Sequence, residues 1–185
     1  MCIRDRGYIE SRGYYGSSDR QIEDFVKNLN ESDTTTMELD SALLGVYKRQ
    51  LFCEPLIEKI ETEVEISGIP LNLDLGWAQF ILEEVDCIDD HCFYVSGNLT
   101  IKFGSEAKKI RIDGGKNSRL VSVKKLLSDK AVPPWRRPNY PMVYKDNCLV
   151  CVPAVALDSS LLKEPKGKVK IYRANFSSKT NANII

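Results

Sequence analysis

The sequence predicts an α+β fold, in which a small helix/strand N-terminal piece is followed by a sheet-rich C-terminal domain with one main helix. Two observations indicate this. Apolar residues recur at helical spacing near the N-terminus, and beyond residue 63 short apolar segments alternate with Gly, Asn and Asp. A chain of 185 residues suits one ordinary domain or two small ones.

The first predicted element is an amphipathic helix over residues 19–31, with Ser18 or Asp19 as its cap. The spacing i, i+3, i+4, i+7 is met by Ile22, Phe25, Val26 and Leu29. A polar run, SDTTT, is expected to end the helix. Short apolar stretches around Gly45 then predict a meander of two or three strands, with a turn at residues 48–50.

The next segment is interpreted as a linker. Pro55 and the acidic run from Glu58 to Glu65 interrupt the apolar pattern, which places a domain boundary near residue 60. The predicted organisation is a partial middle domain over residues 7–60, a C-terminal domain over 63–175 and a polar tail over 176–185.

The C-terminal domain is predicted to be mostly strand. Its strands are expected at 64–66, 69–75, 77–85, 92–95, 99–103, 108–113, 141–145, 148–154 and 168–174. One helix interrupts them, with Ser122 as its N-cap. It must end before Pro133, because the residue before a proline is disfavoured in the α region.

Charge is strongly segregated along the chain. Residues 1–97 contain 8 basic and 20 acidic residues, a net charge of −12, and residues 98–185 contain 18 basic and 6 acidic, a net charge of +12. A long basic block in a globular chain favours a phosphate-bearing partner. Because its cations are interleaved with strand-like apolar residues and form no amphipathic membrane helix, nucleic acid is favoured over a membrane.

Cysteine chemistry is the main competing interpretation. Cys87, His91 and Cys92 lie close together, and Cys148 and Cys151 form a CxxC pair. Two thiols three apart on a strand point to opposite faces, so buried, apolar cysteines are favoured over zinc. A nucleophile at Cys92 with His91 as base is disfavoured for the same geometric reason.

The chain shows no self-sufficient active site. It has no phosphate-binding loop motif, and the Asp113–Lys116 segment is interpreted as a hairpin turn. The acidic group around Asp89 is interpreted as a solvated loop. We therefore expect no catalytic residue, metal or cofactor in this chain. With no apolar run of about 20 residues and no signal peptide, we expect a cytoplasmic protein with no membrane contact.

A specific resemblance is carried by residues 99–158. In order, the matching pieces are Lys102, Gly114–Gly115, Lys124–Lys125, Val132–Pro133–Pro134–Trp135, Arg136–Arg137, Pro141 and Asp158. This series resembles the C-terminal domain of tRNA(Ile)-lysidine synthetase. Residues 7–60 look like that family's middle, substrate-binding domain, although less sharply.

The resemblance implies a role in docking tRNA(Ile). In the family, an N-terminal ATP-pyrophosphatase domain, which is missing from this chain, uses ATP and Mg to join lysine to the wobble cytidine. We expect the present chain to be inactive alone and to have that domain and tRNA(Ile) as partners; the sequence leaves homo-oligomer formation open. The expected tRNA-binding residues are Lys102, Lys108, Lys109, Arg111, Lys116, Arg119, Lys124, Lys125, Arg136 and Arg137. The alternatives are a stand-alone nucleic-acid-binding module and a cysteine-ligated metal protein.

Overall fold

The structure is a computed structural model, and two compact units make up the chain. One contains residues 1–58 and 178–185, and the other contains residues 59–177. The structure describes residues 7, 10–11, 18–29, 34–60, 63–66, 69–86, 92–95, 97–104, 108–112, 118–161, 170–179 and 183–184. Its short strands and few helices confirm the predicted α+β fold class.

The first unit pairs a helix with a small antiparallel sheet. Its elements are α1 (Asp19–Leu29), β1 (Thr34–Glu38), β2 (Ala42–Tyr47), β3 (Gln50–Pro55) and β15 (Asn183–Ile184). A capping box starts α1: the Gln21 amide donates to Ser18 Oγ (3.3 Å), and the Ser18 amide donates to Gln21 Oε1 (2.9 Å). Ile22 and Phe25 of α1 are buried in a core with Leu44 and Val46 of β2. The predicted helix and meander are confirmed.

The second unit contains most of the strands. They are β4 (Val64–Glu65), β5 (Leu71–Asp74), β6 (Ala78–Glu84), β7 (Cys92–Val95), β8 (Leu99–Phe103), β9 (Lys109–Ile112), β10 (Arg119–Ser122), β11 (Pro141–Lys145), β12 (Cys148–Val152), β13 (Ala156–Leu157) and β14 (Lys170–Ser178). Helix α2 spans Val123–Asp129, and 3-10 helices η1 and η2 span Pro134–Asn139 and Ser159–Leu161.

These strands form three sheets in the described part of the second unit. Their orders are β13-β12-β11-β8-β4, β5-β6-β14-β7 and the two-stranded β10-β9. Strand β11 is central, because it pairs antiparallel with β8 on one side and with β12 on the other. The β11–β12 turn is tight, with φ of 48° at Asp146 and 63° at Asn147, as a type I′ hairpin requires.

An aromatic cluster fixes the turn between α2 and β11. The Trp77 ring lies 5.9 Å from that of Tyr140 and 5.4 Å from that of Phe176, centroid to centroid. The Tyr140 hydroxyl donates to the carbonyl of Pro153 at 2.7 Å. Because Trp77 and Tyr140 are almost fully buried, this cluster is part of the core of the second unit.

Several local features differ from the sequence-based expectations. Thr34–Thr36, expected to lie in the polar run that ends the helix, belong to β1. The acidic run from Glu58 was interpreted as a linker as far as Glu65, but the strand expected at 64–66 is present as β4, which pairs with β8. Strand β10 and the helix η1 were not predicted from the sequence. Residues 176–178, assigned to the polar tail, continue β14, and Asn183–Ile184 pair with β3.

The core predicts a loss of stability at high pH. Burial raises the pKa of the Cys151 thiol above its ordinary 9.0, and burial raises the pKa of Tyr140 above 10.0. The folded protein keeps protons that the unfolded chain releases, so the free energy of unfolding should fall as pH rises above about 9. Each group contributes a slope of up to about 1.4 kcal/mol per pH unit.

Denaturant unfolding at pH 8, 9, 10 and 11 measures this slope. Between pH 9 and 10, Cys151→Ala should reduce the slope of the unfolding free energy against pH by up to about 1.4 kcal/mol per pH unit, the contribution of one proton. Cys148→Ala on the same strand, which removes an exposed thiol, controls for the loss of a thiol as such. Equal slopes for wild type and Cys151→Ala would show that this thiol is not protected from ionisation.

Candidate nucleic-acid interface

The β9–β10 hairpin sorts its side chains onto two faces. In its antiparallel register Leu120 lies opposite Arg111, Ser122 opposite Lys109, and Arg119 opposite Ile112. Because cross-strand partners share a face, Lys109, Arg111 and Leu120 lie on one face and Arg119 on the other. Ile110 is buried between the two exposed cations Lys109 and Arg111. One alternating strand therefore anchors the hairpin and presents two positive charges.

Helix α2 presents two further cations directly after β10. Val123 and Leu127 are buried on one side of the helix, whereas Lys124 and Lys125 are exposed, as expected from the sequence. Ser122 occupies the predicted N-cap position with extended backbone, but its side chain makes no capping hydrogen bond. The helix is held by its apolar residues, and its lysines extend into solvent.

Six predicted site residues are exposed cations without a carboxylate partner among the described residues. None of them is within ion-pairing distance of a described Asp or Glu. The six residues are Lys108, Lys109, Arg111, Arg119, Lys124 and Lys125. One of them, Lys108, has its ammonium 5.9 Å from the centroid of the Tyr144 ring, a cation–π distance. Their charge is available to an anionic ligand.

Lys102 differs from these six because internal contacts occupy it. Its ammonium donates to Glu63 Oε1 at 2.7 Å and to Asn147 Oδ1 at 3.2 Å. It also lies 5.6 Å from the centroid of the Tyr144 ring. Burial raises the pKa of Tyr144, and the Glu63 carboxylate raises it further. The Lys102 charge is thus partly compensated inside the domain.

Arg136 and Arg137 take structural roles in η1. Arg136 is only 8% exposed, and its guanidinium carbon lies 4.7 Å from the centroid of the Trp77 ring. Arg137 donates to the Val132 carbonyl from Nε (3.0 Å) and from Nη2 (2.9 Å). Both side chains hold the turn that follows α2. Lys116, the tenth predicted residue, lies outside the described residues.

The structure also reveals a pocket that the sequence reasoning missed. It has a volume of about 520 Å³ and lies beside the β9–β10 hairpin. Lys145, absent from the predicted site, lines it together with Lys109 and Arg111. A single strand's pattern cannot indicate such a pocket, because its walls come from segments far apart in the sequence.

The cysteines in the described segments are free thiols. Cys148 is exposed and Cys151 is buried, so the CxxC thiols do not converge. No three His, Cys, Asp or Glu side chains of the described residues are grouped as a metal ion would require. Cys87 and His91 lie outside the described residues. In the same part of the chain, no helix combines the length and apolar character that crossing a membrane requires.

Comparison with known proteins shows that part of the second unit is similar to a known domain. Residues 99–172 match the family model of the TilS substrate C-terminal domain. The fold is similar to that in "Crystal structure of TILS C-terminal domain", with a TM-score of 0.50, 14% identity, and coverage of 64% of this chain and 98% of that one. A comparison with curated proteins found no match. The resemblance inferred from the sequence is confirmed for this segment.

Substitutions at the buried Arg136 and at the exposed lysines of α2 should have different effects on stability. Arg136→Ala removes a desolvated cation–π contact and its packing, so it should lower the free energy of unfolding by about 2 to 3 kcal/mol. Lys124→Gln/Lys125→Gln changes only exposed side chains and should cost less than about 0.5 kcal/mol per residue. Denaturant titration measures both, and equal losses would contradict the assignment of Arg136 to the core.

Proposed function

Because residues 99–172 match the TilS C-terminal domain, we propose that the chain is the C-terminal part of a tRNA(Ile)-lysidine synthetase and docks tRNA(Ile) for that enzyme. The observation that carries the proposal is the group of six exposed cations on and around β9, β10 and α2. The ligation itself, with ATP and Mg, belongs to another domain of the enzyme. We further propose a cytoplasmic location.

The proposed docking works mainly through phosphate neutralisation. A lysine or arginine that approaches a phosphate releases condensed counterions, and this favours binding irrespective of sequence. The A-form grooves of paired RNA give side chains little access to base edges, so shape and backbone contacts position the tRNA. Exposed cations that pair with no carboxylate of the described residues suit this role, since within that part of the chain no ion pair has to break first.

The proposed contact set is smaller than the set predicted from the sequence. Lys102 is left out because its ammonium donates to Glu63 and Asn147. Arg136 and Arg137 are left out because their side chains stabilise η1 through Trp77 and the Val132 carbonyl. Lys116 stays a prediction from the sequence. The family match favours this function over the stand-alone nucleic-acid-binding module, and no specific observation favours the latter.

Salt dependence tests the contact set. Lys124→Gln/Lys125→Gln should weaken tRNA binding and reduce the slope of log affinity against log salt by about two units, one for each lost phosphate contact. The matched control is Lys102→Gln/Lys170→Gln, which removes the same charge from lysines paired with Glu63 and Glu84 at 2.7 and 2.8 Å. Its slope should stay close to that of the wild type.

The measurement is a filter-binding or fluorescence titration from 50 to 300 mM salt, with circular dichroism as the folding control. If the wild type shows no salt-dependent tRNA binding, the proposed function is wrong. If the slope of log affinity against log salt falls equally in both double variants, tRNA binding depends only on overall charge, and α2 is not a specific docking element.

A second prediction concerns catalysis. The sequence contains none of the loop motifs that bind the triphosphate of ATP, so the purified chain should form no lysidine and release no pyrophosphate from ATP. The assay contains tRNA, lysine and Mg²⁺, and pyrophosphate is followed by a coupled reaction. Release above the no-protein background would contradict this prediction.

A further inference from the structure

The pocket beside the β9–β10 hairpin combines charged and apolar walls. One wall is the hairpin face that carries Lys109, Arg111 and Leu120, and the facing walls come from β12, from the turn before it and from the segment around η2. Its volume of about 520 Å³ lies within the range of small-molecule sites. All of these walls belong to the unit of residues 59–177.

The charge of the pocket suits one phosphodiester. The lining contains Lys109, Arg111 and Lys145 together with Asp146 and Asp158, so it carries one positive charge in excess. Asp158 is already engaged, because its Oδ1 accepts from the amide (2.9 Å) and the hydroxyl (2.6 Å) of Ser160. Lys109 and Arg111, two positions apart on β9, stand on the same side, roughly 6.6 Å apart along the strand.

The apolar part of the pocket is not explained by phosphate binding. Leu120 is 63% exposed, the most exposed of the large hydrophobic side chains in the described residues, although it stands directly opposite Arg111. Leu149 and Leu161 also line the pocket. A cation pair beside an open leucine matches a ligand that has an anionic end and a flat, weakly polar face. A nucleotide has both.

A base contact at Leu120 would distinguish paired from unpaired RNA. Bases in a duplex are stacked inside the helix, so their faces cannot contact Leu120, whereas an unpaired base can turn outward into a cavity. We propose that this pocket holds one unpaired nucleotide of the bound RNA, with its phosphate at Lys109 and Arg111 and its base against Leu120. This inference rests on the proposed function and adds a contact that is selective for unpaired RNA.

Leu120→Ser tests the base contact without changing charge. It should lower affinity for a labelled single-stranded RNA of ten nucleotides by about three- to ten-fold, leave affinity for a ten-base-pair RNA duplex within about two-fold, and retain the wild-type salt slope. The matched control is Leu56→Ser, a leucine 48% exposed in the other unit, which should change neither affinity. Circular dichroism checks that both variants fold.

The hairpin offers a second pair of variants matched in charge. Arg111 faces the pocket and Arg119 lies on the opposite face, so both Arg111→Gln and Arg119→Gln should weaken tRNA binding, but only Arg111→Gln should weaken binding of cytidine 5′-monophosphate. Occupancy is read from the rate at which iodoacetamide alkylates Cys148, an exposed thiol in the pocket lining, followed by peptide mass spectrometry. The nucleotide should slow this rate at least two-fold in the wild type.

The outcomes separate the pocket from the docking function. If inorganic phosphate protects Cys148 as well as the nucleotide does, or if Leu120→Ser binds single strands like the wild type, the nucleotide subsite is overturned while salt-dependent tRNA binding still stands. If the wild type binds no tRNA, the proposed function fails first. Loss of single-strand affinity in Leu120→Ser together with nucleotide protection supports the subsite.

Discussion

The stacking of Arg136 on Trp77 is the contact on which the arrangement of the second unit depends. It fixes η1, the segment between the lysine-bearing helix α2 and the central strand β11. From η1, Asn139 Oδ1 accepts from the Ile60 amide at 2.8 Å, and the neighbouring Tyr140 bonds to Pro153 beyond β12. A guanidinium buried against an aromatic ring is worth more than one in water. This core contact therefore sets where the exposed cations stand.

Local backbone geometry explains why cations of similar sequence context have different roles. In a strand, alternation exposes every second residue, so the charges of β9 reach solvent while Ile110 anchors the strand. In a 3-10 helix the repeat is three residues, and Arg136 and Asn139, three positions apart, are both buried. A count of basic residues measures the electrostatic field of the domain, but burial and internal contacts decide which charges can contact a phosphate.

The sequence predicts the elements better than their arrangement. Strands β5 and β8 alternate apolar and polar residues, and α1 has an apolar stripe, so their existence followed from periodicity alone. β10 was missed because RLVS is short and leaves Leu120 exposed, contrary to the usual rule for a strand in a core. The separation of Arg111 and Arg119 onto opposite faces depends on the hairpin register, and the pocket depends on packing between distant segments. Neither is encoded in a local pattern.

In the proposed function, the two faces of the hairpin would engage paired and unpaired parts of the RNA in different ways. Long-range attraction by exposed cations brings in any RNA and falls with salt, since it acts on phosphates alone. The exposed Leu120, which lines the same pocket as Lys109 and Arg111, interacts only at contact distance. It can contact the face of a base only where that base is unstacked. Arg119 and the α2 lysines fit the first mode, whereas Arg111 and Leu120 fit the second. Because the two modes act through different side chains, affinity and selectivity for structure can vary independently in this domain.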